Sequence, residues 1–139
     1  MATENTKRME TVILPDTNIL IYSIAGKEPY ASVFKNWIRN KQLVFSVIVI
    51  AEFLIKSDQL ESEKLNYLLS YFKTIPVDLE IAREAASIRK TYLKHKQKLL
   101  LPDCLIAAQC KLHDVSLATA NPTDYPKKYI TIISTSNHL

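Results

Sequence analysis

Cysteine and histidine are scarce in this chain, with two of the first and three of the second among 139 residues. Cys104 and Cys110 fall six positions apart in one expected helix. That spacing separates their Cα atoms by roughly 9 Å along the axis, too far for a disulfide. Nor do two thiols make a zinc pattern, and both read as small apolar core residues. His95, His113 and His138 lack ligand spacing, and none is assigned a catalytic role. Also missing is an apolar run long enough to span a bilayer, because VFSVIVIA meets Glu52 at once. Met1 to Glu10 is polar, without the apolar centre of a secretory signal. Residues 1–10 are read as a flexible N-terminal segment, and the chain as cytoplasmic, with no membrane partner. Charge is nearly balanced, with 18 basic and 14 acidic side chains giving +4. That excess permits a nucleic-acid substrate or an acidic partner without requiring either.

What is present is apolar patterning. Hydrophobic residues make up 47% of the chain, with no low-complexity tract, repeat or linker, so residues 11–139 are expected to fold as one domain with a real core. Thr11 to Leu14 reads as a buried strand bounded by Pro15. A helix over Asn18 to Ala25 ends near the single glycine, Gly26. Helical periodicity follows from Pro29 to Asn40, then a strand from Leu43 to Phe45. Ser46 is placed to cap a helix over Val47 to Ser57, although the β-branched run there would also suit a longer strand. Another helix spans Glu61 to Phe72, and a strand Ile75 to Val77. Asp78 caps a long helix to about Lys96, striped by Ile81, Ala85, Ile88 and Tyr92. Pro102 opens a helix to about His113, and strands over Val115 to Ala118 and Ile130 to Ile133 close the chain. Short strands alternating with helices imply a parallel α/β sheet covered on both faces. Sites in such sheets lie at the carboxyl ends of the strands.

Four acids stand where apolar elements begin, end or are interrupted. Asp16 follows the first strand and could equally be a helix N-cap. Glu52 interrupts SVIVIAEFLI. Its apolar neighbours leave that turn little solvent, so a basic partner, a metal or a shared polar pocket must offset the cost of burial. Asp103 shares a helix face with Ile106 and Ala107 and points inward, unless it serves only the helix dipole. Asp124 closes the polar loop TANPTDY and could be an ordinary turn residue. Gathered at one pocket, these carboxylates repel one another, and a cation would neutralise them. Oxygen ligands without clustered His or Cys favour Mg²⁺ or Mn²⁺ over Zn²⁺. Such a pocket points to phosphodiester chemistry.

Asp16 in DTN, Glu52 in AEF, Asp103 in PDCLIAA and the TANPTDY segment resemble the PIN-domain ribonucleases, and in particular the VapC-type toxins of toxin–antitoxin pairs. The resemblance spans Val12 to Ile133. It implies a three-layer α/β/α PIN-like domain with a central parallel sheet. It also implies a divalent ion, Mg²⁺ or Mn²⁺, held by Asp16 and Asp103 with support from Glu52 and Asp124, all four acting in catalysis. Asn18, Thr119 and Asn121 match polar positions that orient water or substrate. The implied reaction is endoribonucleolytic hydrolysis leaving a 5′-phosphate and a 3′-hydroxyl. The implied partners are RNA, a cognate antitoxin protein and a second copy of the chain in a homodimer. The chain departs from the family pattern at Val49, at Ala120, and in Leu54 to Ser57, where a glycine is common. None of these removes a metal ligand.

An acidic pocket needs basic surroundings to accept RNA. Arg89, Lys90, Lys94, Lys96 and Lys98 are candidate phosphate contacts, against the simpler reading of a solvated helix end. Lys127 and Lys128 are a weaker pair. The helices over Tyr30 to Trp37 and Tyr67 to Phe72 could face a partner, against the simpler reading of core packing. Three other functions compete with this one. An RNA-processing nuclease without an antitoxin would share every motif. A catalytically silent binding module would not need the full acid set. An aspartyl phosphotransferase would want acids or a lysine that are not found in the required places.

Overall fold

The computed structural model describes residues 11–94, 99–126 and 132–134. Its elements run β1 (Ile13–Pro15), α1 (Thr17–Ile24), α2 (Tyr30–Arg39), β2 (Phe45–Ser46), α3 (Val47–Lys56), α4 (Gln59–Leu69), β3 (Thr74–Ile75), α5 (Leu79–Lys94), α6 (Leu101–His113), β4 (Ser116–Thr119), a 3-10 turn (Pro122–Asp124) and β5 (Ile132–Ser134). Strands β1, β4 and β5 pair in parallel in that lateral order, and β2 pairs in parallel with β3. A parallel bridge between Ile13 and Leu43 joins the two groups. There the Ile13 amide donates to the Gln42 carbonyl at 2.7 Å, and the Val44 amide to Ile13 at 3.0 Å. The order across the molecule is therefore β3-β2-β1-β4-β5. Every strand runs the same way, as a βαβ chain demands, and the α/β class expected from the sequence is met.

Local chemistry sets the helix limits. Gly26, at φ 81°, closes α1 with the paired bonds of a Schellman motif: Gly26 amide to Ser23 carbonyl at 3.1 Å, Lys27 amide to Tyr22 carbonyl at 3.0 Å. Ser46 caps α3 through the Ile48 amide at 3.1 Å, so the β-branched run after it is helical. Helix α4 starts two residues before the expected Glu61. Asp58 accepts from the Glu61 amide at 2.8 Å while Glu61 accepts from the Asp58 amide at 3.0 Å, a capping box. Asp78 caps α5 through the Ile81 amide at 2.9 Å.

The main core gathers Leu14, Ile19, Leu20, Phe34, Trp37, Phe45, Val49, Phe53, Leu65, Ile106 and Leu117 around the sheet. A second cluster, Ile81, Ala85, Ile88, Leu99, Cys104, Ala107 and Ala108, joins α5 to α6. Cys104 and Cys110 are free and buried, in line with their reading as core residues. Gln109 is the polar exception. Fully buried, it accepts from the Ser46 hydroxyl and donates to the carbonyls of Ile75 at 3.0 Å and Pro76 at 3.2 Å. One amide thus ties α6 to the ends of β2 and β3 with all of its donors used. None of the helices among the described residues is long and apolar enough to cross a membrane.

Candidate active site

Asp16 is the first residue beyond β1. Its amide continues the sheet by donating to the Ala118 carbonyl at 2.9 Å, which brings it beside the end of β4. One carboxylate oxygen caps α1 by accepting from the Ile19 amide at 3.0 Å. The capping role and the site role therefore coexist. Behind it stands Thr119, the last residue of β4 and fully buried. The Thr119 oxygen accepts from the Asn121 amide at 3.0 Å, and its hydroxyl hydrogen-bonds Asp16. Burial raises the Asp16 pKa above the ordinary carboxylate value. The Thr119 and Ile19 bonds oppose the rise, while the charges of Asp124 and Glu52 add to it.

Glu52 reaches the same place from α3. It is half-buried and accepts a 2.7 Å hydrogen bond from the Thr17 hydroxyl. Its surroundings differ from the expectation. Only Val49 and Phe53 of α3 are buried, whereas Leu54 is 44% and Ile55 81% exposed. The apolar neighbours of Glu52 do not enclose it, because the sheet takes only one narrow stripe of the helix.

Asp103 lies in the first turn of α6 and is half-buried. Burial, with repulsion from Glu52, Asp124 and Asp16, pushes its pKa up to about 6, against a hydrogen bond from the Tyr125 side chain. Tyr125 is raised in turn, by burial and then by Asp16, Asp103 and Glu52. Asp124 ends the 3-10 turn and is exposed.

A cleft of about 210 Å³ collects these groups. Asp16, Asn18, Glu52, Asp103, Asn121 and Asp124, six of the residues singled out in the sequence, line it. Thr119 sits behind Asp16 and does not face the opening. Thr17, Lys56 and Tyr125 complete the lining and were not picked out beforehand. The threonine of DTN and the tyrosine of TDY adjoin singled-out acids, so contact with the site was readable from adjacency. Clefts of about 440 and 760 Å³ elsewhere are lined mainly by apolar and aromatic side chains. Neither gathers a group of acids.

Among the described residues the carboxylates share the cleft without three of them closing into a ready-made metal-ligand set. The one ion pair among the described residues lies elsewhere, Lys111 with Glu84 at 2.6 Å, so no cleft acid has such a partner among them. An oxygen-only donor set with unneutralised charge fits a hard divalent cation. Of the basic stretch, Arg89 and Lys90 are described, and neither lines the cleft. Arg89 donates to the Leu99 carbonyl at 2.8 Å and braces the entry to α6. Lys90 is exposed. The Lys94 side chain and Lys96, Lys98, Lys127 and Lys128 lie outside the described residues, as do residues 1–10. Of the two helices considered for a partner, α2 buries Ala31, Phe34 and Trp37. Tyr67 and Tyr71 remain 66% and 68% exposed.

Residues 13–128 match the family model described as PIN domain. Ribonuclease VapC10 of Mycobacterium tuberculosis (strain ATCC 25618 / H37Rv) is 29% identical over 119 residues, covering 83% of this chain and 86% of that protein. Ribonuclease VapC1 of Rickettsia felis is 29% identical over 123 residues, covering 83% and 89%. Among solved structures, a toxin–antitoxin complex from Klebsiella pneumoniae aligns with a TM-score of 0.66 at 29% identity, over 81% of this chain and 88% of that one. VapBC2 from Rickettsia felis, bound to a promoter DNA fragment, aligns with a TM-score of 0.73 over 89% and 98%. At 20% identity that second likeness speaks for the fold alone.

Proposed function

The chain belongs to the PIN-domain family, and from that premise we propose that it is a metal-dependent endoribonuclease, the toxin of a type II toxin–antitoxin pair. The observation that carries the proposal is convergence: acids from four separate segments line one polar cleft at the carboxyl ends of β1 and β4. Ribonuclease relatives of similar length support the substrate class. Asp16 and Asp103 would hold Mg²⁺ or Mn²⁺, with Glu52 and Asp124 completing the set. When bound, such an ion supplies Lewis-acid chemistry for phosphodiester hydrolysis and offsets phosphate charge. The chain's own residues do the positioning. Thr17 fixes the Glu52 carboxylate, Thr119 steadies Asp16 from behind, and Tyr125 holds Asp103. Asn18 and Asn121, at the cleft wall, are placed to orient water or a phosphate oxygen.

The same reading includes a cytoplasmic location, a homodimer and an antitoxin that covers the cleft. Exposed Leu60, Tyr67 and Tyr71 on and beside α4 offer apolar surface for a protein partner. The Klebsiella likeness, a toxin–antitoxin complex, supports that partner. The deciding experiment is cleavage of total cellular RNA with Mg²⁺, with excess chelator, and with Asp16→Asn. Asparagine caps helices as well as aspartate does, so the variant should fold and lose cleavage. Undiminished activity in chelator, or in the folded variant, would count against the proposal.

A further inference from the structure

Lys56 is the one cation lining the acidic cleft among the described residues. It is the last residue of α3, one turn after Glu52. A lysine four residues after a glutamate ordinarily pairs with it along the helix. Here Glu52 is engaged by Thr17 instead, at 2.7 Å. No ion pair joins Lys56 to any described carboxylate; the only such pair among the described residues is Lys111 with Glu84. An exposed ammonium at the edge of four acids, yet bonded to none of them, is free to take an anion from outside. Its place at a helix C-terminus accounts for a lysine there, but not for a side chain facing the cleft.

We propose that Lys56 binds a phosphate of the single-stranded RNA at the mouth of the cleft, drawing an anionic strand toward a carboxylate-lined site that would otherwise repel it. This rests on the nuclease reading and adds to it a specific substrate contact. Lysine suits the task because its ammonium acts as a compact point charge on a flexible stem.

The test is fluorescence anisotropy with a labelled single-stranded RNA oligonucleotide in Ca²⁺ across a salt series, for wild type, Lys56→Ala and Lys56→Arg. Wild type should bind with a salt-dependent affinity. Lys56→Ala should bind about tenfold more weakly, with a slope flatter by about 0.7, the value for one phosphate contact on a single strand. Lys56→Arg should keep the slope. In Mg²⁺, Lys56→Ala should raise KM more than it lowers kcat, and Mn²⁺ affinity by calorimetry should not change. Equal RNA affinity and slope in wild type and Lys56→Ala would overturn the Lys56 assignment and leave the nuclease reading standing. So would tighter Mn²⁺ binding in Lys56→Ala without loss of RNA binding, because the lysine would then be an internal counter-ion. Wild type that neither binds nor cleaves RNA would overturn both.

Discussion

At the scale of single residues, the cleft holds two carboxylates, Asp16 and Asp103, whose charges are opposed by burial and by neighbouring acids. Asp103 has a folded-state pKa of about 6 against an ordinary value of 3.8. Between those values the folded chain keeps a proton that the unfolded chain has lost. Without a cation, stability therefore falls as pH rises through that window. A carboxylate must lose its proton to bind a metal, so cation affinity rises over the same window. The increase in Tm produced by a fixed concentration of Mn²⁺ should be small near pH 5 and larger near pH 7.5. Differential scanning fluorimetry would show it, and a pH-independent increase would argue against carboxylate ligation. Thr17 offers a second test. Thr17→Val removes the hydroxyl that holds Glu52 while keeping the shape of the side chain. Loss of such a supporting bond should cut cleavage about tenfold or more, with little change in Tm, as read by an initial-rate assay beside a melt. The acids were legible in the sequence because Asp16, Asp103 and Asp124 stand where elements begin or end and Glu52 interrupts an apolar run. Lys56 was not, because a lysine at a helix end reads as ordinary solvated charge until the cleft around it is seen. Thr119 was readable as polar and nearby, but only the parallel register of β1 and β4 places it behind Asp16.

At the scale of elements, apolar patterning and end signals such as Gly26, Ser46, Asp78 and Pro102 located the six helices among the described residues, and side-chain chemistry decided their ends. The VIVIA run could have gone either way on propensity; the Ser46 cap and the Gln109 amide settle it as a helix after a two-residue strand. The start of α4 came two residues earlier than apolar spacing indicated, because Asp58 and Glu61 cap each other and carry no hydrophobic signal. Gln109 was invisible beforehand for a related reason: its partners are carbonyls and a hydroxyl more than thirty positions away. Its value shows in a substitution. Gln109→Leu keeps roughly the volume but leaves the Ile75 carbonyl and the Ser46 hydroxyl short of partners in the core. At about 1–3 kcal/mol for each unsatisfied buried group, the loss should be about 2–6 kcal/mol, read as a lower urea midpoint at constant m-value. A loss below about 0.5 kcal/mol would mean that water or a backbone shift replaces the amide.

At the scale of the whole molecule, a chain of net charge +4 concentrates four acids at one end of its sheet. The three-layer α/β/α PIN fold makes this possible, since parallel strands deliver Asp16 and Thr119 side by side while α3 and α6 bring Glu52 and Asp103 to them. Such a cleft trades stability for function. Burial and mutual repulsion both raise Asp103, so its ionised form is a cost to the folded state that a bound cation would offset. Asp103→Asn removes the charge but keeps the size of the side chain and a polar group for Tyr125. In chelator near pH 7.5 the variant should therefore melt at a higher temperature than wild type. Added Mn²⁺ should raise wild type and leave the variant nearly unmoved, so that the order of the two narrows or reverses, while RNA cleavage is lost throughout. A purely structural Asp103 predicts the opposite order in chelator, because replacing a stabilising carboxylate would lower the melting temperature. The two melts, with chelator and with Mn²⁺, separate these cases without reference to activity.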